Sequence, residues 1–354
     1  MRRILVVGGA GYVGSVLTEE LLQRGYAVRV LDRLYFGDAG LRPVRDRIEL
    51  VEADMRAVSA DVLKGVDAVV NVGGLSNDPT AEYNPRANHD MNTVATAALA
   101  RLCKAAGVSR YVLASSCSIY DCGVFDEHSD VLQDETAPVA PRAPYSVSKY
   151  EAERALLAML GDGFCPVILR KGTVYGYSPR MRYDLVVNTF VSDALARGQL
   201  TLHHGGEMWR PLVDVRDTAQ AYVALLEADE SAVRGEIFNL CYQNLRISEL
   251  ALRVRETLRR LGIDVDVHPD YHQGSVRNYR VSAEKIGRVL NFRPKVSIEE
   301  SVADMVQRLR ADGRTDIENP RYYNIRWLQH LEDERQAAGL PGSVLDAPTA
   351  PLPQ

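Results

Sequence analysis

The feature that most constrains this chain of 354 residues is a glycine-rich turn directly after its first apolar segment. Residues 4–7 predict a buried strand, which runs into Gly8-Gly9-Ala10-Gly11-Tyr12-Val13-Gly14 and then into a predicted helix over residues 12–23. Small residues let the backbone approach a pyrophosphate, and a helix N-terminus offers unpaired N–H groups and a partial positive charge. The order of strand, turn and helix predicts a dinucleotide site containing Gly8, Gly11, Tyr12, Val13 and Gly14.

Short apolar runs alternate with helical patterns through the first half of the chain. Further strands are predicted at residues 27–31, 48–52, 68–72, 111–114 and 167–169, and further helices at 92–106 and 145–160. This alternation predicts an α/β fold of the Rossmann type, a doubly wound parallel sheet with helices on both faces. After residue 172 the pattern loosens and predicts a smaller, mixed α/β C-terminal domain for the substrate.

The expected domain boundaries follow from these patterns. Residues 1–172 form the dinucleotide-binding domain, and residues 173–337 form the substrate-binding region, parts of which can return to the first domain. Residues 338–354 contain four prolines and two glycines and are predicted to be disordered.

Composition excludes several classes of function. The net charge of -5 argues against a nucleic-acid binder, and no apolar run approaches the ~20 residues that cross a membrane. The cysteines are odd in number and lack zinc spacing, which favours reduced thiols in the cytoplasm. The sequence shows no third metal ligand to accompany His203 and His204, so no metal site is expected.

Asp32 directly follows the second predicted strand. A carboxylate there accepts hydrogen bonds from the adenosine ribose and repels a 2′-phosphate, which favours NAD over NADP. Arg33 is also expected beside the adenosine and could instead hold a 2′-phosphate, so NADP is the alternative.

The predicted helix at 145–160 opens with Pro144-Tyr145-Ser146-Val147-Ser148-Lys149. Tyr145 and Lys149 are four residues apart and therefore lie on one face of this helix. A free tyrosine has a pKa of ~10, which a nearby ammonium and the positive nicotinamide ring lower. Tyr145 is therefore expected to take and return a proton as hydride moves. Ser116 ends a strand at the ligand-binding edge of the sheet, where its hydroxyl could hold the reacting oxygen.

The glycine turn, Asp32, the serines at 115–116 and the Tyr-x-x-x-Lys motif resemble the extended short-chain dehydrogenase/reductase family. Within it, the pattern is similar to NAD-dependent nucleotide-sugar epimerases and dehydratases. The resemblance covers about residues 1–310, is strong over the cofactor half, and is looser afterwards. It implies Tyr145, Lys149 and Ser116 as catalytic residues, and a homodimer formed through the helices at 92–106 and 145–160.

The resemblance also implies further ligand contacts. Arg210 is expected to hold the diphosphate of a nucleotide sugar, because a guanidinium binds two oxygens and stays charged. His272 replaces the family's second arginine, for which Arg277 or Arg280 could compensate. The other expected cofactor contacts are Asp54, Met55, Gly73, Gly74, Leu75, Asn92, Ser115, Tyr145 and Lys149. The expected substrate contacts are Ser116, Thr173, Asn188, Arg210 and Arg277.

Departures from the family pattern narrow the predicted chemistry. Family dehydratases carry acidic residues after the catalytic Ser/Thr, and decarboxylases usually carry a glutamate there. This chain has Cys117 and Ser118 instead, which disfavours both reactions. The leading prediction is an NAD-dependent oxidoreductase or epimerase acting at C4 of a nucleotide sugar, either a 4-epimerase (an isomerase) or a 4-ketoreductase. The alternatives are a dehydrogenase of a non-nucleotide alcohol and a non-catalytic dinucleotide sensor.

Overall fold

The computed structural model describes residues 2–121, 131–161, 163–271, 277–313 and 316–348. In chain order, the strands are β1 (Arg3–Val7), β2 (Ala27–Asp32), β3 (Ile48–Glu52), β4 (Ala68–Asn71), β5 (Arg110–Ser116), β6 (Leu132–Gln133), β7 (Cys165–Lys171), β8 (Thr173–Tyr175), β9 (Gln199–His203), β10 (Trp209–Asp214), β11 (Ile237–Leu240), β12 (Gln243–Arg246), β13 (Asp266–Asp270) and β14 (Arg280–Val281). The α-helices are α1 (Tyr12–Gln23), α2 (Asp78–Tyr83), α3 (Pro85–His89), α4 (Thr96–Ala105), α5 (Pro144–Leu157), α6 (Val186–Arg197), α7 (Val215–Glu227), α8 (Glu230–Val233), α9 (Ile247–Arg260), α10 (Glu284–Leu290), α11 (Ile298–Ala311) and α12 (Asn324–Ala337).

A seven-stranded parallel sheet lies at the centre of the molecule, in the order β11-β7-β5-β4-β1-β2-β3. Side chains alternate across it, so that Ile4 and Val6 pack with α1 and α7, whereas Leu5 and Val7 pack with α4 and α5. Strands covered on both faces need continuous apolar sequences, and these strands have them. The predicted Rossmann-type α/β fold is confirmed.

Within this sheet, the strands lie close to their predicted positions. The six strands predicted from the sequence end within two residues of the observed ones, and α1 and β3 match their predictions in both bounds. Two features differ in detail. A short π-helix, Asp90–Ala95, precedes α4, and β11 from the second half of the chain pairs with β7. The division at residue 172 stays a prediction. Strand β11, from the second range, pairs with β7 in the sheet of the first range.

The remaining elements form a smaller mixed region beside the sheet. It contains a three-stranded sheet, β12-β10-β8, and the two-stranded pairs β13-β9 and β14-β6. Helices α6, α9 and α11 contact one another across its apolar interior. Strand β8 follows β7 after Gly172, which brings this region to the carboxyl edge of the large sheet.

The predicted disorder of residues 349–354 lies outside the described residues, whereas residues 338–348 make defined contacts. These residues include Leu345, which is 1% exposed and packs with Leu75, Met91 and Leu328. A buried leucine and backbone carbonyls that accept hydrogen bonds give this segment contacts that its proline and glycine content does not reveal. Within the described residues, no helix is long and apolar enough to cross a membrane.

Candidate active site

One cavity follows the carboxyl ends of the parallel strands, where ligands bind in open α/β sheets. Each neighbouring strand end contributes side chains or backbone to its wall. These contributors include Gly8 after β1, Asp32 in β2, Asp54 after β3, Gly73, Gly74 and Leu75 after β4, Ser116 in β5 and Lys171 in β7.

The glycine turn leaves no room for larger residues. Gly8 has φ +77°, and a Cβ on it would lie 2.6 Å from the Cα of Gly73. A Cβ on Gly14 would lie 2.1 Å from the carbonyl oxygen of Gly8. Gly11, Tyr12 and Val13 line the cavity beside them. Glycine at these two positions therefore lets the turn pack against the loop after β4 and against its own backbone, and the start of α1 lines the cavity where a dinucleotide phosphate is expected.

Asp32 is fixed at the end of β2 by backbone donors. Its Oδ2 accepts the N–H of Ala10 at 2.9 Å, and its Oδ1 accepts the N–H of Leu34 at 2.8 Å. Burial raises the pKa of this carboxyl, and these two backbone N–H groups oppose the rise. The carboxylate lies in the cavity wall, where ribose hydroxyls can donate to it.

Arg33 is paired with an acidic residue. Its Nη1 lies 2.5 Å from Oδ2 of Asp54, which also accepts Nη2 of Arg56 at 2.7 Å. Burial would raise the pKa of Asp54, but the two guanidinium groups hold it below its ordinary value. A 2′-phosphate would have to compete with Asp54 for Arg33, so this arrangement favours NAD. Met55 lines the cavity next to this cluster.

Tyr145, Lys149 and Ser116 line the same cavity. Tyr145 is 6% exposed and Lys149 is 5% exposed, and the Nζ of Lys149 lies 5.9 Å from the centre of the tyrosine ring. The Ser116 Oγ accepts the N–H of Ser118 at 3.2 Å. The structure therefore brings the three predicted catalytic side chains together.

The charges around Tyr145 differ from the sequence prediction. Burial raises the pKa of its phenol, and the opposing groups are, in order, Arg277 and Arg182, followed by the Ser116 hydroxyl. Lys149 was expected to be the main cation acting on the phenol, but the two arginines act more strongly. Arg277 has its guanidinium carbon 5.5 Å from the centre of the ring.

The pKa of the Lys149 amino group lies close to neutral pH. Burial and then the charge of Lys171 lower its pKa to about 7, against a partial opposing effect of Glu153. Lys171 is half-buried, donates to the carbonyl oxygen of Ser115 at 3.0 Å, and has its own pKa lowered by burial to about 8. Two lysine amino groups, both with lowered pKa values, therefore lie at the reacting end of the cavity.

Three residues predicted to contact ligand lie outside the cavity wall. The Ser115 hydroxyl donates to Glu153, away from the cavity. Asn92 donates to the carbonyl oxygen of Leu75 and, through its position behind Gly74, supports the turn that lines the site. The Oδ1 of Asn188 accepts the N–H of Gly176, and its Nδ2 donates to the Tyr12 hydroxyl. The Ser115 hydroxyl and the Asn188 side chain have hydrogen-bond partners within the protein, whereas the Oδ1 of Asn92 has none among the described residues. Ligand contacts by these three residues stay predictions.

Arg210, Arg277 and Thr173 line the cavity as predicted substrate contacts. The Nη1 of Arg210 donates to the carbonyl oxygens of Trp209 and Arg277, and Arg277 pairs with Asp78. Arg280 instead stacks on Trp209, so Arg277 is the better placed compensating arginine. His272 lies outside the described residues.

Sequence reasoning missed several residues of the cavity wall: Lys171, Arg180, Arg182, Asn324 and Leu328. Arg180 donates to Asn324 at 2.7 Å, and burial lowers its pKa to about 9. Within the described residues, the Nε atoms of Arg180 and Arg277 have no hydrogen-bond partner, which leaves buried donors for phosphate oxygens. The two arginines in Arg180-Met181-Arg182, just before an apolar helix, were the signal available in the sequence.

The described residues offer no metal site, because no three metal-ligating side chains cluster among them. The groups that are present fit a dinucleotide instead. A glycine cradle, a ribose-facing carboxylate and buried arginine donors are the features that its pyrophosphate and ribose need.

Replacing Lys149 with methionine is expected to raise stability while reducing turnover. Below about pH 7 the folded protein holds a buried charged lysine, and between about pH 7 and 10.5 the unfolded chain binds more protons, so native stability rises with pH. The gain in Tm for Lys149→Met should therefore be several degrees at about pH 6 and shrink towards about pH 10. Thermal unfolding of the cofactor-free protein measures this gain in Tm.

Lys64→Met, at a position whose side chain is 78% exposed, is the control for this substitution and should show no such gain. An equal loss of stability for Lys149→Met at both pH values would contradict the assignment.

Comparisons with known proteins agree with this geometry. Residues 4–241 match the model of the NAD dependent epimerase/dehydratase family. UDP-glucuronic acid decarboxylase 1 of Xenopus tropicalis is 31% identical over 65% of this chain, which spans 55% of that protein. A putative UDP-glucose 4-epimerase of Methanocaldococcus jannaschii is 27% identical over 88% of this chain and all of its own length.

Solved structures extend the likeness over most of the chain. A dTDP-glucose 4,6-dehydratase from Streptomyces venezuelae with NAD bound has a TM-score of 0.74 and 28% identity, covering 92% of this chain and 99% of its own. A UDP-glucose 4-epimerase from Stenotrophomonas maltophila with bound NAD has a TM-score of 0.78 over 89% of this chain and 99% of its own; at 22% identity it shows the fold alone. The chain therefore belongs to the NAD-dependent epimerase/dehydratase family, whose members are enzymes of the extended short-chain dehydrogenase/reductase superfamily.

Proposed function

We propose that this protein is a nucleotide-sugar 4-epimerase that uses Tyr145 as its acid and base. The observation that carries the proposal is the shared cavity, in which Tyr145, Lys149 and Ser116 lie at one end and the glycine turn at the other. A bound NAD would supply the reversible hydride acceptor for the carbinol carbon.

The protein's own groups handle the proton. The phenolate of Tyr145 takes the proton of the C4 hydroxyl, and the phenol returns it when the ketone is reduced on its opposite face. Ser116 holds the same oxygen by a hydrogen bond. The cations around the phenol stabilise its charged form, and Arg210 and Arg277 bind the diphosphate.

The residues after Ser116 argue against loss of water or carbon dioxide. Cys117 is buried, its Sγ donates to the carbonyl oxygen of Arg170 at 3.1 Å, and burial raises its thiol pKa well above the ordinary value. The Ser118 hydroxyl pairs with that of Ser146 at 3.0 Å. Neither side chain carries a carboxylate or lines the cavity, so neither can protonate a leaving hydroxyl.

A 4-ketoreductase is the second candidate, because it needs the same tyrosine chemistry. The two enzymes differ in the fate of the cofactor, which an epimerase keeps and a reductase exchanges.

The homodimer and the cytoplasmic location stay predictions.

Product analysis without added cofactor tests the proposal. The protein, loaded with NAD, is incubated with UDP-, GDP- and dTDP-hexoses and with UDP-glucuronic acid, and products are identified by NMR. Interconversion of C4 epimers, with no net reduced nicotinamide, is expected. A pentose or a 4-keto-6-deoxy product would show decarboxylation or dehydration instead, and lack of binding by every nucleotide sugar would favour a non-nucleotide alcohol.

Arg210→Met tests the substrate end of the cavity separately. Loss of a charged phosphate contact is expected to raise KM about tenfold or more while NAD affinity stays unchanged. Arg259→Met, at a position with a 65% exposed side chain outside the cavity, is the control. An unchanged KM would remove Arg210 from the diphosphate site.

A further inference from the structure

Residues 343–346, named here the C-terminal strap, lie across the loops that follow β2 and β3. The strap offers three backbone carbonyls as acceptors. Arg56 donates to Leu345 at 2.8 Å and to Asp346 at 2.9 Å, and Arg33 donates to Asp346 at 3.1 Å. The Tyr35 hydroxyl donates to Val344 at 3.1 Å.

Helix α12 holds the strap from the other side. The Glu332 carboxylate accepts the N–H of Val344 at 3.1 Å and the Ser343 hydroxyl. The Trp327 indole of the same helix donates to the carbonyl oxygen of Tyr35 at 2.6 Å. The helix also contributes Asn324 and Leu328 to the cavity wall.

An apolar contact completes the attachment. Leu345 is buried in a cluster with Leu75, Met91 and Leu328, and each of these three lines the cavity. Leu345 itself does not line the cavity, so the strap packs behind this wall and does not occupy the ligand space.

We propose that the C-terminal strap braces the wall at the adenosine end of the NAD site from behind and so slows the release of NAD, so that one cofactor serves many turnovers. Opening this end requires the loss of four hydrogen bonds from Tyr35, Arg33 and Arg56 and the exposure of Leu345. The proposed slow release of NAD depends only on NAD binding. The benefit of slow release rests on the proposed function, since an epimerase returns each hydride and needs no exchange of cofactor.

The strap also acts on cofactor choice. Arg33 divides its donors between Asp54 and the strap carbonyl of Asp346. Without the strap, Arg33 loses one of its two acceptors and can turn towards a 2′-phosphate. Loss of the strap should therefore raise the affinity for NADP relative to NAD, an effect that a purely structural role would not produce.

A pair of matched substitutions tests this proposal. Leu345→Asp places a charge at the buried strap position, whereas Leu340→Asp makes the same change at a position 53% exposed in the same segment. Matched truncations end the chain after Pro341, before the strap, or after Pro348, beyond it. NAD release from the loaded protein is followed by chase with unlabelled NAD, and NAD and NADP affinities are measured by titration.

Release from Leu345→Asp and from the chain ending at Pro341 is expected to be at least about tenfold faster, with a higher NADP-to-NAD affinity ratio. Leu340→Asp and the chain ending at Pro348 should match the full chain. Unchanged release in both strap variants, or equal acceleration by Leu340→Asp, would overturn the proposal. Leu345→Ala, which removes packing without burying a charge, replaces the first variant if that one fails to fold. No sugar is present in these measurements, so a wrong substrate assignment leaves their outcome intact.

Discussion

Replacing Tyr145 with phenylalanine is expected to reduce kcat by about 10²–10⁴, the usual contribution of a positioned acid or base. The change removes one hydroxyl and keeps the ring that lines the cavity. NAD affinity should therefore change little. Product formation under single-turnover and steady-state conditions measures the loss, and fluorescence titration measures NAD binding.

Tyr150→Phe is the matched control for this substitution. Tyr150 lies on the same helix, α5, but packs in a separate apolar cluster and does not line the cavity. It should retain nearly full turnover. If Tyr145→Phe kept wild-type kcat, or if both variants lost activity equally, the phenol would not be the proton-transfer group.

The parts of the site that could be predicted from the sequence depend on local patterns. Strands buried on both faces have apolar runs, and the glycine turn follows directly from the close approach of Gly8 to Gly73. Tyr145 and Lys149 share one helix, so their proximity needs no tertiary knowledge.

The parts that could not be predicted depend on contacts between distant segments. Asn92 and Asn188 have the residue type of a ligand contact, but their partners, Leu75 and Gly176, are defined only by the folded chain. The tail at 338–354 has a composition typical of disorder, and the attachment of its strap to Arg33 and Arg56 joins positions about 290 to 310 residues apart. The electrostatics of Tyr145 likewise depend on arginines from other elements.

A buried ion pair holds the catalytic helix to the sheet. Glu153 of α5 and Arg170 of β7 are 1% and 3% exposed, with Nη2–Oε2 at 2.6 Å and Nε–Oε1 at 3.0 Å. Arg170 also donates to the Tyr120 hydroxyl at 2.6 Å, and Ser115 donates to Glu153. The network includes Ser115 and Arg170, which directly precede the cavity residues Ser116 and Lys171 in β5 and β7. It therefore fixes the strand ends that form this edge of the site.

Glu153→Gln is expected to reduce the free energy of unfolding by about 3–5 kcal/mol, because it leaves the charge of Arg170 buried without a counter-charge. Denaturant unfolding measures this loss. Glu151→Gln, two residues earlier in α5, breaks only the exposed contact with His89 and should cost less than about 1 kcal/mol. Replacing both partners, as Glu153→Leu with Arg170→Met, should restore much of the stability, since neither charge of this pair is then left buried alone. A loss below about 1 kcal/mol for Glu153→Gln, or a double variant less stable than that single variant, would show that the pair does not hold α5 to β7 through its charges.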